Sequence, residues 1–325
     1  MIIVRAPFRV SFCGGGSDIP SFYQKNEGCV ISTTIKKYMF LTIHPCFDKD
    51  EIVLKYSQTE TVKSYEEIQH RIFKEVLKDM DIKGVEITSV ADVPAGTGLG
   101  SSSAFTVALL KLLYTYKGKY VSTYHIANEA CDVEINRLGN PIGKQDQFAS
   151  AFGGLRYYEF KPDGFVKIEP IIMSHEKYLE LEKNLLLFYT GEVHNANKIL
   201  KEQTDNLLSQ TDKIEIQKKI VLLTKELKRE LELNNIDAMG EILAKSWEYK
   251  KQLASGITDQ LINAHYEKAI KAGAMGGKLL GAGGGGFLLF YVKPDKQEAV
   301  RKALKDLKEM EFEFDNSGTT VVYTN

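Results

Sequence analysis

Three glycine-rich segments constrain the fold of this chain more than any other feature of its sequence. They are FCGGGSD at residues 12–18, VPAGTGLGSSSA at residues 93–104 and KLLGAGGGGF at residues 278–287. The 26 glycines of the 325-residue chain would rarely form all three clusters if they were spread evenly. Because glycine has no Cβ, it permits positive φ and a close approach of the backbone to a ligand or to another segment. The sequence therefore predicts three tight loops at these positions.

The middle segment joins three glycines to the start of an apolar helix. Gly96, Gly98 and Gly100 lead into residues 101–116, which are apolar on nearly every face. This pattern predicts a buried helix that begins directly after a glycine loop. The free N–H groups and the dipole of a helix N-terminus attract anions, which favours a phosphate site. The alternative is a tight strand-to-helix turn in which a serine caps the helix.

Two common nucleotide-binding fingerprints are excluded. The chain contains no GxxxxGK[ST] pattern, and in the middle segment Ser101 stands where a Rossmann fingerprint needs its third glycine. The third segment matches GxGxxG at residues 281–286, but it precedes the strand-like run FLLFYV and not a helix. This segment therefore brings backbone close to another segment or to a ligand, or it is a flexible bend between two strands.

Acidic residues beside a broken helix form a fourth group of candidates. In EINRLGNPIGKQDQFAS, residues 134–150, Glu134 lies on a predicted helix that glycines and a proline end before Asp146. A carboxylate in such a loop can accept the proton of a hydroxyl group or cap the next helix. The sequence alone leaves both roles open for Asp146.

The charge balance excludes two classes of binding protein. Lys plus Arg is 42 and Asp plus Glu is 43, which gives a formal net charge of −1. General binders of nucleic acids or membrane surfaces need an excess of basic charge, so we expect neither partner.

The apolar runs are too short to cross a bilayer, and the first residues lack a signal-peptide pattern. The four scattered cysteines form no metal or disulfide pattern, which predicts reduced thiols and a cytoplasmic protein.

The order of strand-like and helix-like segments predicts an α+β fold in two parts. Runs of β-branched and aromatic residues predict strands at 2–5, 30–35, 39–43, 52–56 and 85–90. Helical spacing predicts helices at 65–80, 101–116 and 123–137. After a strand at 185–189, the same spacing predicts helices at 195–208, 214–233, 236–253 and 259–271. The pattern then predicts a strand at 287–292, a helix at 296–308 and strands around Phe312 and Val321.

The three glycine-rich segments, in this order and spacing, resemble the three motifs of the GHMP kinases, a superfamily of small-molecule kinases. The resemblance covers essentially the whole chain. It implies a GHMP kinase N-terminal domain at residues 1–184, similar to domain 2 of ribosomal protein S5, and a ferredoxin-like C-terminal domain at residues 185–325. The active site would then lie in the cleft between the two domains.

The resemblance implies a role for each matched residue, with ATP and Mg²⁺ as cofactors. Asp146 would accept the proton of the attacking hydroxyl, and Arg9 would help to keep that carboxylate ionised and would stabilise the transferring charge. Ser102 and Glu134 would hold Mg²⁺. The residues implied to wrap the ATP phosphates are Pro94, Gly96, Gly98, Leu99, Gly100, Ser101, Ser102 and Ser103.

The first motif indicates which sugar such a site would take. Galactokinases have Gly-Glu-His-Thr-Asp where this chain has Gly-Gly-Gly-Ser-Asp at residues 14–18, so two galactose-binding side chains are missing. The two glycines leave room and imply a different sugar, while Asp18 is kept for a sugar hydroxyl. The positions implied to bind the substrate are Gly15, Gly16, Ser17, Asp18, Gly283 and Gly284.

Within the superfamily, the segments APFRVSFCGGGSDIPSFY and GKQDQFASAFGGL most resemble the heptose kinases. These enzymes convert D-glycero-D-manno-heptose 7-phosphate to the 1,7-bisphosphate in the supply of nucleotide-activated heptose for surface polysaccharides. The sugar-kinase domain of fucokinases shares much of the GGGSD pattern, and a non-catalytic sugar sensor on the same fold is a further alternative.

A 7-phosphate on the substrate would need basic partners of its own near these motifs. The nearest ones are Lys144, Arg156 and the pair Lys36 and Lys37, and we expect each of them to be a solvated surface charge rather than a phosphate ligand. His44 and His194 have no metal-ligand partner at useful spacing and are predicted to be packing or surface residues.

Overall fold

The first two strands, β1 (Ile2–Cys13) and β2 (Gly28–Pro45), organise the fold. The computed structural model describes residues 1–191 and 196–325, and in it these strands pair antiparallel over nearly their whole length. The two strands predicted at 30–35 and 39–43 are thus one strand, with a shift in register opposite Pro7 and Phe8. Every residue of β1 from Ala6 to Cys13 is buried, so this half of the strand has cover on both faces.

The other elements of the first half are shorter. In chain order they are α1 (Pro20–Tyr23), β3 (Ile52–Lys55), β4 (Thr59–Val62), α2 (Arg71–Asp79), β5 (Val85–Ala91), α3 (Ser101–Tyr116), α4 (Thr123–Cys131), α5 (Gln145–Phe152), β6 (Arg156–Phe160), β7 (Val166–Pro170) and α6 (His175–Lys183). A 3₁₀ turn precedes α2 and a π-helical turn, Asp132–Arg137, follows α4.

The helix predicted at 65–80 is interrupted, which corrects that prediction. The 3₁₀ turn Tyr65–Glu67 ends at an extended Ile68, and α2 begins three residues later. The Glu60 carboxylate accepts the backbone N–H groups of Gln69 at 2.6 Å and His70 at 3.2 Å. Because these N–H groups are satisfied by a side chain, the chain does not need helical hydrogen bonds there.

The second half is dominated by helices. In chain order its elements are β8 (Leu185–Tyr189), α7 (Ala196–Ser209), α8 (Thr211–Glu232), α9 (Ala238–Lys250), α10 (Gln260–Lys271), β9 (Gly276–Leu279), β10 (Phe287–Tyr291), α11 (Pro294–Ala303), β11 (Lys308–Glu309), β12 (Phe314–Asp315) and β13 (Thr320–Thr324). Asn195, the predicted first residue of α7, and His194 lie outside the described residues.

Two sheets confirm the predicted α+β class. The large sheet has the order β13-β1-β2-β5-β3-β4, with β6 and β12 also paired to β2 and β7 paired to β6. The small sheet, β11-β8-β10-β9, is antiparallel. The predicted boundary near residue 185 lies between α6 and β8 and stays a prediction. The end of the chain returns to the large sheet, where β13 pairs with the first residues of β1.

Helix α3 is buried as the sequence predicts. Every residue from Ser103 to Leu110 is buried, and the helix packs against β1 and β2. This burial fixes the helix N-terminus, which lies where the three glycine-rich segments meet. In the described part of the chain, no helix combines the length and apolar character that a membrane span requires.

Candidate active site

One cleft of about 360 Å³ collects residues from all three glycine-rich segments. Strand β1, the N-terminus of α3, helices α5 and α7 and the end of α9 also contribute to its walls. The predicted site residues that line it are Arg9, Gly15, Gly16, Asp18, Gly96, Gly98, Gly100, Ser101, Ser102, Ser103, Glu134, Asp146 and Gly283. Folding therefore brings together most of the predicted positions, from both halves of the chain.

Four predicted residues are not among the described residues that line the cleft: Ser17, Pro94, Leu99 and Gly284. The Ser17 hydroxyl is buried and accepts the N–H of Cys29 at 2.9 Å. The Leu99 carbonyl accepts the N–H of Arg9 at 3.1 Å, and the Pro94 carbonyl accepts a threonine hydroxyl at 3.0 Å. The N–H of Gly284 donates to a backbone carbonyl at 3.0 Å. These contacts shape the loops around the cleft, and direct ligand binding by the four residues stays a prediction.

The glycine loop before α3 has the backbone that its sequence requires. Gly96, Gly98 and Gly100 have φ values of 77°, 84° and 77°, in the left-handed region that favours glycine. Gly100 is the N-cap residue of α3, and no side chain caps this helix, so the alternative of a serine cap is wrong. The N–H groups at the start of α3, around Ser101–Ser103, therefore border the cleft, and no described side-chain cap would compete with an anion for them.

The third glycine segment packs backbone to backbone against this loop. A Cβ on Gly281 would lie 2.6 Å from the Cα of Gly98, and a Cβ on Gly286 would lie 2.4 Å from the carbonyl oxygen of Thr97. No real Cβ tolerates such distances, so only glycine fits at both positions. The interpretation that this segment brings backbone close to another segment is confirmed.

Arg9 and Asp146 form a two-pronged ion pair in the cleft. Arg9 Nε donates to Asp146 Oδ1 at 2.8 Å and Nη2 donates to Oδ2 at 2.6 Å. Arg9 Nη1 also donates to the Gly98 carbonyl at 2.5 Å, which links the pair to the glycine loop. Asp146 lies in the first turn of α5 but does not cap it, because the N-cap residue is Lys144. The capping role considered for Asp146 is therefore wrong, and its carboxylate is held in a fixed orientation.

Glu134 lies on the π-helical turn after α4 and is fully buried. Ser102 Oγ donates to its Oε1 at 2.6 Å and Gln147 Nε2 donates to its Oε2 at 2.8 Å. Burial raises the pKa of Glu134, and these two hydrogen bonds act against that rise. A carboxylate beside a hydroxyl, next to the N-terminus of α3, is a donor set that suits Mg²⁺, which keeps waters and uses few protein ligands.

Asp18 is a third carboxylate in the cleft and is 2% exposed. Its oxygens accept the N–H of Gly16 at 3.0 Å and the N–H of Gln145 at 3.1 Å. Burial raises the pKa of Asp18 to about 6, and the charge of Asp146 adds to the rise. A Cβ on Gly143 would lie 1.9 Å from Asp18 Oδ2, so this glycine makes the space that the carboxylate occupies.

The space beside Gly16 is filled from the second half of the chain. The sequence predicts room there, but a Cβ on Gly16 would lie 2.3 Å from Gln203 Nε2 and 2.8 Å from Gln217 Oε1. Gln203 comes from α7 and lines the cleft, whereas the fully buried Gln217 comes from α8 and lies behind it. The predicted open space is thus corrected to an amide-lined wall.

The basic residues considered as partners of a sugar 7-phosphate are absent from the described cleft lining. Lys144 Nζ and Arg156 Nε each donate to a backbone carbonyl elsewhere, at 2.8 Å and 2.5 Å. Lys36 pairs with Glu313 at 2.5 Å, and Lys37 lies beside it at a separate cavity of about 450 Å³. The cation that the sequence analysis missed is Lys250, which lines the cleft and is 9% exposed. Its signal is the helical spacing of α9, which places it on the apolar face.

Comparisons with known proteins agree with this arrangement. Residues 65–154 match the GHMP kinases N terminal domain, and residues 225–309 match GHMP kinases C terminal. A D-glycero-alpha-D-manno-heptose 7-phosphate kinase from Campylobacter jejuni is 30% identical, over 94% of this chain and 93% of the relative. A bifunctional fucokinase/GDP-fucose pyrophosphorylase from Arabidopsis thaliana is 28% identical, over 95% of this chain but 31% of the relative.

A solved structure extends the similarity to the whole fold. The crystal structure of a D-glycero-D-manno-heptose 1-phosphate kinase from Bacteroides thetaiotaomicron superposes with a TM-score of 0.82 at 27% identity and covers 100% of both chains. These heptose phosphate kinase homologues support a sugar kinase. Their similarity also supports an alcohol group as the phosphate acceptor. The chain therefore belongs to the GHMP kinases, a family of ATP-dependent enzymes.

Proposed function

We propose that this protein transfers the terminal phosphate of ATP to the anomeric hydroxyl of D-glycero-D-manno-heptose 7-phosphate. The product would be the 1,7-bisphosphate, an intermediate in the synthesis of nucleotide-activated heptose for surface polysaccharide. The observation that carries the chemistry is the Arg9–Asp146 pair beside the N-terminus of α3. The heptose substrate is supported by the 30% identity to the Campylobacter jejuni kinase. The partner is then a small sugar phosphate, and we propose the cytoplasm as the place of reaction.

Asp146 is the proposed general base. Its side chain is 22% exposed, so a substrate hydroxyl can reach it, while Arg9 holds both of its oxygens. Each carboxylate oxygen has two lone pairs, and the guanidinium uses one on each. The remaining lone pairs accept the proton of the attacking hydroxyl, and Arg9 stabilises charge near the transferring group.

The N-terminus of α3 and its neighbours would hold the nucleotide phosphates. The N–H groups around Ser101–Ser103 donate to phosphate oxygens, as at other helix N-termini that follow glycine loops. Ser102 and Glu134 are the residues that would hold Mg²⁺, which when bound neutralises charge on the phosphates. Asp18 accepts a hydrogen bond from a sugar hydroxyl and so orients the substrate relative to Asp146.

A fucokinase-like or galactokinase-like kinase of another sugar is the second candidate. The 28% identity with the Arabidopsis fucokinase enzyme, over 95% of this chain, favours it. A non-catalytic sugar sensor on the same fold has less support, because the Arg9–Asp146 and Ser102–Glu134 contacts are both intact. The proposed heptose kinase and a fucokinase-like or galactokinase-like enzyme differ in their substrates, because only the heptose enters the cleft with a phosphate already attached.

A coupled assay of ADP release tests the substrate. The purified protein is given ATP and, in separate reactions, heptose 7-phosphate, fucose, galactose, mannose or mevalonate. We expect ADP release with heptose 7-phosphate at a kcat/KM at least about tenfold above that for any other compound. Turnover of fucose without turnover of heptose 7-phosphate would overturn the substrate proposal, and no turnover of any sugar would favour the sensor.

The substitution Asp146→Asn tests the base. We expect kcat to fall by at least about 100-fold, because the amide cannot accept the hydroxyl proton. Asp306→Asn is the matched control, since Asp306 is exposed and lies outside the described cleft lining. Full activity of the Asp146→Asn enzyme would show that another group removes the proton.

A further inference from the structure

Lys250 is a buried cation that faces the cleft and has no role in the mechanism above. It is the last residue of α9 and is 9% exposed. Its ammonium group donates to the carbonyl of Gly281 at 2.6 Å and to the carbonyl of Leu279 at 3.1 Å. Both acceptors belong to the third glycine-rich segment, so Lys250 connects α9 to the loop that packs against Gly98.

No carboxylate of the described residues forms an ion pair with Lys250. The two charged groups that act on it most, Lys278 and Arg9, are both positive. Burial and these two charges hold the pKa of Lys250 well below its usual range. A buried ammonium group that is stabilised by two carbonyl oxygens alone is costly, and an anion beside it would offset that cost.

One N–H donor of the Lys250 ammonium group remains without an acceptor among the described residues. An ammonium group has three N–H donors, and the two carbonyls use two of them. Arg9, the other cation among the described cleft residues, already donates to both oxygens of Asp146 and to Gly98. These contacts use three of the five N–H donors of Arg9, and Asp146 balances its charge. Lys250 also has a donor left for a ligand and, of the two described cleft cations, is the one that pairs with no carboxylate of the described residues.

We propose that Lys250 binds a phosphate oxygen of a bound reactant while it anchors the third glycine-rich loop. The phosphate is either the terminal phosphate of ATP or the 7-phosphate of the sugar, and the identity of the sugar phosphate rests on the proposed function. Lys250 donates to Gly281, and Gly281 lies against Gly98 of the glycine loop before α3. Lys250 therefore supplies a positive charge where the two loops meet, which a glycine cannot supply.

Lys278, the first residue of the third glycine-rich segment, provides a matched control for Lys250. Its ammonium group is also buried and donates to one backbone carbonyl, that of Phe12, at 3.0 Å, but it is absent from the described cleft lining. Lys250→Met and Lys278→Met thus remove similar buried charges, and only the first removes a cation from the cleft. Thermal unfolding of both variants measures how much each substitution disturbs the fold.

The test is the affinity of these variants for two pairs of ligands, measured by calorimetry. The first pair is ADP and the non-hydrolysable ATP analogue AMP-PNP, which differ in the terminal phosphate. The second pair is unphosphorylated heptose and heptose 7-phosphate. For one of the pairs, we expect Lys250→Met to reduce the preference for the extra phosphate by about 10- to 100-fold, as for the loss of a charged hydrogen bond. Lys278→Met should leave both preferences within about twofold of the wild-type values.

The pair that responds identifies the phosphate. If Lys250→Met weakens all four ligands equally, or changes neither preference, Lys250 only anchors the loop and the proposal is wrong. If Lys250→Met does not fold, Lys250→Gln supplies the same comparison, because it keeps a donor for the Gly281 carbonyl without the charge. Failure of the wild-type protein to bind heptose 7-phosphate would count against the proposed substrate and would leave the nucleotide comparison valid.

Discussion

At the scale of single residues, the cleft places two carboxylates with different environments close to one another. Asp146 is held by a guanidinium through both oxygens, whereas Asp18 is buried and accepts neutral backbone N–H groups. Burial disfavours the charged form of Asp18, and the negative charge of Asp146 adds to this effect. The protonation of Asp18 is therefore one way in which pH acts on the cleft.

The raised pKa of Asp18 predicts how its substitution changes stability with pH. Its pKa is about 6 in the folded protein against an ordinary 3.8, so the folded state binds the proton more tightly than the unfolded state. The stabilisation from this proton is fully present below the ordinary pKa and is lost as pH rises through about 6. Asn does not titrate, so the Asp18→Asn variant does not undergo this loss. As pH rises from about 4.5 to about 7.5, its unfolding free energy should therefore increase by about 2 kcal/mol relative to that of the wild type.

Chemical unfolding of both proteins across this pH range measures the difference. Asp306→Asn, which makes the same change at an exposed position, is the matched control. Asp18→Asn should also raise the KM for the sugar, because its amide is a weaker acceptor for a hydroxyl. A stability difference that falls towards high pH would contradict the assignment.

Several residues of the cleft were predictable from the sequence, and others were not, for a physical reason. Glu134 and Asp146 are acidic residues on either side of a broken helix, and Arg9 is implied by the resemblance of APFRVSFCGGGSD to the first motif of the family. Gly143 and Lys250 look ordinary in sequence, because their importance arises from a contact with Asp18 or Gly281, each in a distant part of the chain. Such partners become neighbours only through the packing of the two sheets and their helices.

At the scale of elements, the contact between the second and third glycine-rich loops is the feature that shapes the cleft. Gly98 and Gly281 approach each other through backbone atoms, so neither segment can shift without moving the other. Helix α3 is predictable because its apolar residues are local in sequence. The interruption of the helix predicted at 65–80 is not, because it depends on hydrogen bonds to the side chain of Glu60.

The substitution Gly281→Ala tests the contact between the loops. The new Cβ would lie 2.6 Å from the Cα of Gly98, so a backbone must move. We expect a loss of about 1–3 kcal/mol of unfolding free energy from overpacking and a higher KM for ATP. Gly118→Ala is the control, since Gly118 also has positive φ but has no atom of the described residues within 4 Å of its added Cβ.

The difference between these two variants separates steric contact from backbone strain. Both pay the strain of a side chain at positive φ, and only Gly281→Ala adds the collision. Equal losses of stability in the two variants, with an unchanged KM for ATP, would show that the loops do not depend on their close approach.

At the scale of the whole molecule, phosphate binding must be local because the chain has almost no net charge. The totals of 42 basic and 43 acidic residues provide no general attraction for anions. The cleft instead combines a helix N-terminus with Arg9 and Lys250, which are both buried. Buried charges and fixed N–H groups act strongly where water is excluded, so a nearly neutral protein can still bind phosphates.

The return of the chain end to the large sheet predicts a long-range effect of truncation. Strand β13 pairs with β1 from Ile2↔Thr324 to Arg5↔Thr320, four residues before Arg9 in the same strand. Removal of residues 320–325 should lower the unfolding free energy by about 2–4 kcal/mol, since ladder hydrogen bonds are lost, and should promote aggregation through the exposed edge of β1. The kcat at low temperature should stay within about twofold of wild type, because the β1–β2 pairing around Arg9 is retained.

Thermal unfolding, light scattering and the ADP-release assay distinguish these effects. Val322→Asp serves as the control, because this side chain is 45% exposed and the strand itself remains. A truncated protein that unfolds at the wild-type temperature would show that β13 adds nothing to the large sheet. A large loss of kcat at a temperature where the truncated protein is folded would instead mean that β13 helps to place Arg9. The orientation of Asp146, the proposed base that Arg9 holds, would then depend on the pairing of β13 with β1.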